Sequence, residues 1–129
     1  MTYDELVNAA MEARKNSYSP YSKFRVGAAL LTKDGKLYTG ANIENSSYGL
    51  TVCAERTAIF KAISEGDYAF TALAVACDTD KFDLAYPCGA CRQVMTEFFT
   101  EDADIIVSLN TGEYRIHKLN ELLPNSFRL

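Results

Sequence analysis

Two short stretches constrain this chain more than any other feature. The first reads Thr51-Val52-Cys53-Ala54-Glu55-Arg56, the second Pro87-Cys88-Gly89-Ala90-Cys91-Arg92-Gln93. Cys53, Cys88 and Cys91 can close three sides of a tetrahedral zinc ion, and a fold that uses them must bring the two stretches together. Glu55 then stands beside the open fourth position as a carboxylate that is not a ligand. Structural zinc sites use four protein ligands, whereas catalytic ones leave a position for water. A four-ligand structural site would have to recruit Cys77 or His117. A redox pair at Cys88-x-x-Cys91 would leave Cys53-x-Glu55 without a reason. The spacing therefore predicts one catalytic zinc ion per chain, held by Cys53, Cys88 and Cys91.

At 129 residues the chain is sized for a single domain, 1–129, around one core. No apolar run approaches the roughly 20 residues that cross a bilayer. The opening Met1-Thr2-Tyr3-Asp4-Glu5 is acidic where a secretory signal is basic and then apolar. A cytoplasmic protein with no membrane partner is expected. The net charge is −4, and the nearest approaches to a basic cluster, Arg14-Lys15 and Lys23 with Arg25, are short. A protein that tracks phosphates needs a basic stripe, so a nucleic-acid polymer is not an expected partner. Four cysteines in a cytosolic chain point to metal or catalysis before disulfides. The fourth, Cys77, lies in an apolar run and reads as a buried small hydrophobe. His117, the sole histidine, reads as a strand-end surface residue.

Hydrophobic periodicity supplies the elements. Thr2-x-x-Glu5 is a capping box that opens a helix over 3–16, ended by Ser17-Tyr18-Ser19-Pro20. A strand over 24–32, an Asp34-Gly35 hairpin turn and a strand over 36–42 follow. Gly27, Ala28 and Ala29 in mid-strand predict a helix packed closely on that face. A polar loop, 42–49, leads to a second helix over 53–65 that stops at Gly66. The apolar run 70–77 predicts a central strand covered on both faces, and 78–86 a loop. A third helix is expected over 88–99, strands over 105–109 and 113–118, and a short helix over 119–123. This order predicts an α/β fold: a three-layer αβα arrangement, a mixed five-stranded sheet with helices on both faces.

Both cysteine stretches fall at expected helix starts, where the positive helix end stabilises thiolate. Cys88 and Cys91, three apart, share one helix face. Cys53 and Glu55 are about 200° apart on an ideal helix, so they serve one ion only if it sits over the helix end. Three thiolates leave the ion with net negative charge. Arg56, three residues after Cys53, is expected to offset it by donating hydrogen bonds to the sulfurs. Arg92 is a second candidate for the same role.

The chain resembles the small, homotetrameric class of cytidine deaminases over nearly its whole length. The resemblance rests on Tyr18-Ser19-Pro20-Tyr21-Ser22-Lys23-Phe24-x-Val26-Gly27-Ala28-Ala29-Leu30, Asn42-Ile43-Glu44-Asn45, Cys53-Ala54-Glu55-Arg56-Thr57-Ala58 and Pro87-Cys88-Gly89-Ala90-Cys91-Arg92-Gln93. A cysteine stands at Cys53 where polynucleotide-editing deaminases carry the histidine of H-x-E. The resemblance implies that Asn42 and Glu44 hold the ribose, Phe24 packs on the base, and Glu55 with the Ala54 backbone reads its edge. It implies that Tyr48 lies near the site or at a subunit contact. It also implies a homotetramer in which Phe127 completes a neighbouring chain's pocket. The activity implied is zinc-dependent deamination of cytidine and deoxycytidine in pyrimidine salvage, with Glu55 moving the protons. A deaminase of a related compound such as blasticidin S, and a polynucleotide deaminase, are the alternatives.

Overall fold

Thr2 opens helix α1 (Tyr3–Ala13) with the expected capping box. Its hydroxyl accepts from the Glu5 N–H at 3.2 Å, and the Glu5 carboxylate accepts from the Thr2 N–H at 3.3 Å. One 3-10 turn, Arg14–Asn16, carries the helical segment to its expected end. The computed structural model describes residues 1–78 and 85–129. Strand β1 (Val26–Thr32) turns through Gly35, at φ +86°, into β2 (Leu37–Ala41). β1 starts two residues later than the sequence suggests. The Phe24 N–H goes to the Ser22 hydroxyl and the Arg25 N–H to the Asp78 carboxylate, so neither enters the sheet ladder.

Helix α2 (Ala54–Ser64) ends at Gly66, whose φ of +92° permits a Schellman pair. The Gly66 N–H donates to Ile63 O and the Asp67 N–H to Ala62 O, each at 3.0 Å. Strand β3 (Phe70–Cys77), helix α3 (Gly89–Phe98), strands β4 (Asp104–Ser108) and β5 (Tyr114–Lys118) and helix α4 (Leu119–Leu122) complete the chain. Of the expected loop 78–86, Asp78, Ala85 and Tyr86 have no regular structure, and 79–84 lie outside the described residues.

The strands form one mixed sheet in the order β2-β1-β3-β4-β5. β1 is antiparallel to β2 and to β3, so β2 and β3 are parallel; β4 is parallel to β3, and β5 antiparallel to β4. Helices α2 and α3 therefore each cross between parallel strands. Side-chain alternation along β3 assigns the layers. Ala72, Ala74 and Ala76 face α1 beside Leu6, Val7 and Ala10. Leu73, Val75 and Cys77 face the other side with Ala58, Ile59 and Met95 of α2 and α3. The architecture is the expected three-layer αβα, and Cys77 is buried as expected.

This topology positions the site. Gly27, near the start of β1, is paired with Ala41 on one side and Ala76 on the other. The carboxyl ends of β2 and β3 thus flank the start of β1, and the chain leaves those ends to begin α2 and α3. Ligand sites of open α/β sheets lie outside the carboxyl ends of strands.

The layers approach as closely as the small residues imply. A Cβ on Gly27 would lie 2.1 Å from Ala10 O and 2.6 Å from the Arg14 N, both backbone atoms of the helical layer. Gly27→Ala is expected to lower stability by about 3 kcal/mol, read from the urea midpoint. Gly49→Ala, where a Cβ meets nothing within 4 Å, is expected to leave that midpoint in place.

Candidate metal centre and substrate pocket

Cys53 and Cys88 occupy the N-cap positions of α2 and α3, with extended backbone and no side-chain capping hydrogen bond. Serine, threonine or aspartate usually sits there to accept a first-turn N–H. Here a sulfur takes the position at both helix ends and turns toward the other. Cys91 is the third residue of α3, so Cys88 caps the helix rather than sharing its flank as the spacing suggests. Glu55 is the second residue of α2. Cys53 and Glu55 therefore sit at the helix end, the arrangement that one ion requires of them.

The sulfurs of Cys53, Cys88 and Cys91 all lie within 4.8 Å of one another, and Cys53 Sγ is 3.7 Å from Cys88 Sγ. A tetrahedral zinc ion with Zn–S bonds of about 2.3 Å separates its sulfurs by about 3.8 Å. The donor set and its spacing fit zinc. The Cys53 thiol is drawn down to about 5, first by the Cys91 S–H directed at it, then by the Arg56 guanidinium and Cys88, against its burial. The same bond, together with burial, pushes Cys91 up. A proton held between two sulfurs is what a metal ion displaces on binding.

Glu55 is 3% exposed. Burial first, and then the charge of Cys53, pushes its carboxyl up to about 7. Arg56 Nη2 donates to Cys53 Sγ at 3.4 Å, as the spacing predicts. The buried Arg56 Nε has no hydrogen-bond partner among the described residues. The guanidinium is thus committed to the sulfurs rather than to a carboxylate.

A cavity of about 290 Å³ opens beside the sulfurs. Cys53, Ala54, Glu55 and Cys88 line it from the metal site, Phe24, Val26 and Val75 from the sheet and the segment before β1, and Asn42, Glu44 and Ser22 from the loops. Its size suits one small molecule. Asn42 is 7% exposed. Its Oδ1 accepts from the Val26 N–H at 2.9 Å and from the Ser17 hydroxyl, and its Nδ2 donates to Phe24 O at 2.7 Å. These bonds fix the amide orientation and leave one Nδ2 proton for a ligand. The Glu44 carboxylate accepts from Tyr21, Ser22 and the Ser22 hydroxyl, whose bond holds it below the usual carboxylate range.

Residues 1–108 match the family model of the cytidine and deoxycytidylate deaminase zinc-binding region. The chain belongs to that deaminase family. It is 52% identical over 122 residues to a cytidine deaminase of Halalkalibacterium halodurans, covering 95% of this chain and 91% of that protein. It is 47% identical over 127 residues to a cytidine deaminase of Sporosarcina psychrophila, covering 98% and 92%. The crystal structure of cytidine deaminase from Burkholderia pseudomallei matches with a TM-score of 0.93 at 46% identity, covering 98% of this chain and all 100% of that one. The matched zinc-binding region contains all three cysteines. Zinc is the cofactor of this deaminase fold, and no helix among the described residues is long and apolar enough to cross a membrane.

Two residues named for the deaminase pocket lie outside it in the single chain. Tyr48 is 73% exposed, edge-on to the Tyr21 ring at 5.6 Å, beside a shallow depression that adjoins Glu44. Phe127 is 60% exposed, and its carbonyl accepts from Gln93 Nε2 at 3.0 Å. Arg92 does not reach the sulfurs as suggested. Its guanidinium donates to Pro87 O at 2.7 Å and Leu122 O at 2.6 Å, tying the start of α3 to α4. His117 lies near the end of β5 as expected but is half-buried, and its Nε2 meets the hydroxyl of the cavity-lining Tyr86 at 3.0 Å. Val26, Thr51, Ala85 and Tyr86 also line the cavity without having been singled out. Only the position of Val26, at the start of a strand beside the cysteines, carried a signal for it.

The contrast between the two arginines is testable. Arg56→Ala is expected to weaken zinc retention about 10- to 100-fold, read by competition with a chromophoric chelator. Arg92→Ala is expected to keep wild-type retention and lose about 2 kcal/mol of stability.

Proposed function

We propose that the chain catalyses the hydrolytic deamination of cytidine and deoxycytidine to uridine and deoxyuridine, with release of ammonia, as a step of pyrimidine salvage. The observation that carries this reading is a cavity lined by two chemically distinct sets of groups. One is a buried carboxyl beside a three-sulfur metal site; the other is the amide of Asn42 with the carboxylate of Glu44. Cys53, Cys88 and Cys91 would hold the zinc ion, which when bound supplies a Lewis acid that makes water nucleophilic near neutral pH.

Glu55 does the proton work. Its carboxylate takes a proton from the water that attacks C4 of the pyrimidine and passes it to ring N3. It then hands a second proton to the departing amino group. Burial raises this carboxyl above the ordinary carboxylate range, which suits a group that must both take up and give back a proton. Arg56 offsets the sulfur charge. Phe24 packs on the base, and Glu55 with the Ala54 backbone reads its edge. The free Nδ2 proton of Asn42 donates to a sugar hydroxyl, and the Glu44 carboxylate accepts from one.

The Glu44 carboxylate in the cavity lining repels phosphate, which favours a free nucleoside over a nucleotide or polymer, and the net charge of −4 agrees. The sugar-facing pair also favours cytidine over blasticidin S, since both of its groups address hydroxyls. We further propose a homotetramer in which the exposed Phe127, and Tyr48 at the rim, complete neighbouring pockets. A cytoplasmic location is supported by four cysteines, none of them in a disulfide.

Loss of cytidine ultraviolet absorbance measures the activity. The wild-type protein is expected to consume cytidine, to stop when zinc is stripped by a chelator, and to resume when zinc is returned. Glu55→Gln is expected to keep one zinc per chain while kcat falls by about 10²- to 10⁴-fold. Near-wild-type turnover by that variant would remove Glu55 from its role; turnover of blasticidin S without cytidine would move the substrate.

A further inference from the structure

We propose that Ser22 is a positioning residue for the sugar: its hydroxyl takes one of the two acceptor directions of Glu44 that the backbone leaves open and so fixes the one that remains for a ligand. The inference rests on the reading of Glu44 as the carboxylate that accepts from a sugar hydroxyl.

The hydrogen bonds around Glu44 leave little choice. An ionised carboxylate has about four acceptor sites, two on each oxygen. Oε1 uses both of its own, accepting from the Tyr21 N–H at 2.9 Å and the Ser22 N–H at 3.2 Å. Oε2 accepts from the Ser22 hydroxyl and keeps one site free. A group with only acceptor capacity takes only a donor, and a nucleoside offers hydroxyls there.

Ser22 cannot turn its proton elsewhere at no cost. Its oxygen accepts from the Phe24 N–H at 3.0 Å, so the single hydroxyl proton is directed to Glu44. One side chain thus ties the residue proposed to pack on the base to the residue proposed to hold the sugar. The backbone is built to place it. The Lys23 N–H closes a one-turn loop on Ser19 O at 3.1 Å, and Lys23 takes a φ of +60°. That left-handed conformation is uncommon for a residue with a side chain, and such strain persists where surroundings enforce it. Glu44 is anchored from its own side, its N–H donating to Tyr18 O at 2.8 Å. Ser22 itself is exposed, so removing its hydroxyl leaves no buried hole. Charged hydrogen bonds of this kind matter most for direction: without Ser22, Oε2 keeps its charge and loses its aim.

The test is a substrate cut combined with substitutions. Cytidine, 2′-deoxycytidine and 3′-deoxycytidine are turned over by the zinc-loaded wild type, Ser22→Ala, Ser22→Thr and Glu44→Gln. The wild type is expected to prefer cytidine over the analogue lacking the contacted hydroxyl. Ser22→Ala is expected to raise KM for cytidine about tenfold or more, with a much smaller change in kcat and no change for that analogue. Ser22→Thr, which keeps the hydroxyl, is expected to restore the preference. An equal KM rise on all three substrates, or no rise on any, overturns the inference. If Glu44→Gln loses the preference while Ser22→Ala keeps it, the inference fails and the reading of Glu44 stands. If Glu44→Gln keeps the preference, or the wild type has none, that reading fails and the inference with it.

Discussion

Three sulfur atoms held within 4.8 Å of one another are a charge problem before they are a ligand set. Thiolates at that spacing repel, and burial makes the repulsion stronger. The structure meets the problem with three sources of positive charge. Two helix N-termini converge on the cluster, each placing a cysteine at its cap, and Arg56 adds a full charge that turns to Cys53 instead of a carboxylate. Zinc supplies the rest. Because the two helix ends have to meet, α2 and α3 must start at the carboxyl ends of parallel strands lying on either side of β1. The sheet order and the glycine contacts between layers follow from that demand.

The two sets of groups that line the cavity are held by different physics. The metal site rests on regular elements, whose backbone bonds and buried apolar faces resist local distortion. Glu55 is buried there on the first turn of a packed helix, and that burial raises its carboxyl above the ordinary carboxylate range. Asn42, Glu44 and Ser22 rest on loops, 17–25 and 42–44, that pair with each other through side chains and a Tyr18–Ile43 backbone bridge. Asn42 is used three times within the protein before it meets any ligand, and Glu44 three times as well. The groups proposed to bind the sugar are thereby also the groups that hold the loops, which would couple substrate recognition to their local order.

Much of the fold was legible because it is periodic. The capping box at Thr2, the Asp34-Gly35 turn, the Gly66 stop and the apolar run over 70–77 each have a local cause, and each appears where expected. The cysteine spacing was legible for the same reason, since Cys53, Glu55, Cys88 and Cys91 have fixed places relative to two helix starts. Cys88 as a cap, and not a flank residue, shows the limit: a helix boundary shifts by a residue when a side chain takes the first position. The late start of β1 has a similar origin, with the Phe24 and Arg25 donors drawn to Ser22 and Asp78.

The sequence by itself determined the elements, the donor set and the proximity of Arg56 to the sulfurs, because these depend on residues a few positions apart. Tertiary structure alone decided what distant loops do to one another. Nothing in the spacing says that Ser17 would lock Asn42, that Ser22 would hold Glu44, or that Arg92 would reach Leu122 instead of the metal site. Nor does it place Tyr48 and Phe127 on the surface of the single chain. Those partnerships are hydrogen bonds and exposures between segments with no common period, and only the packed chain brings them into register.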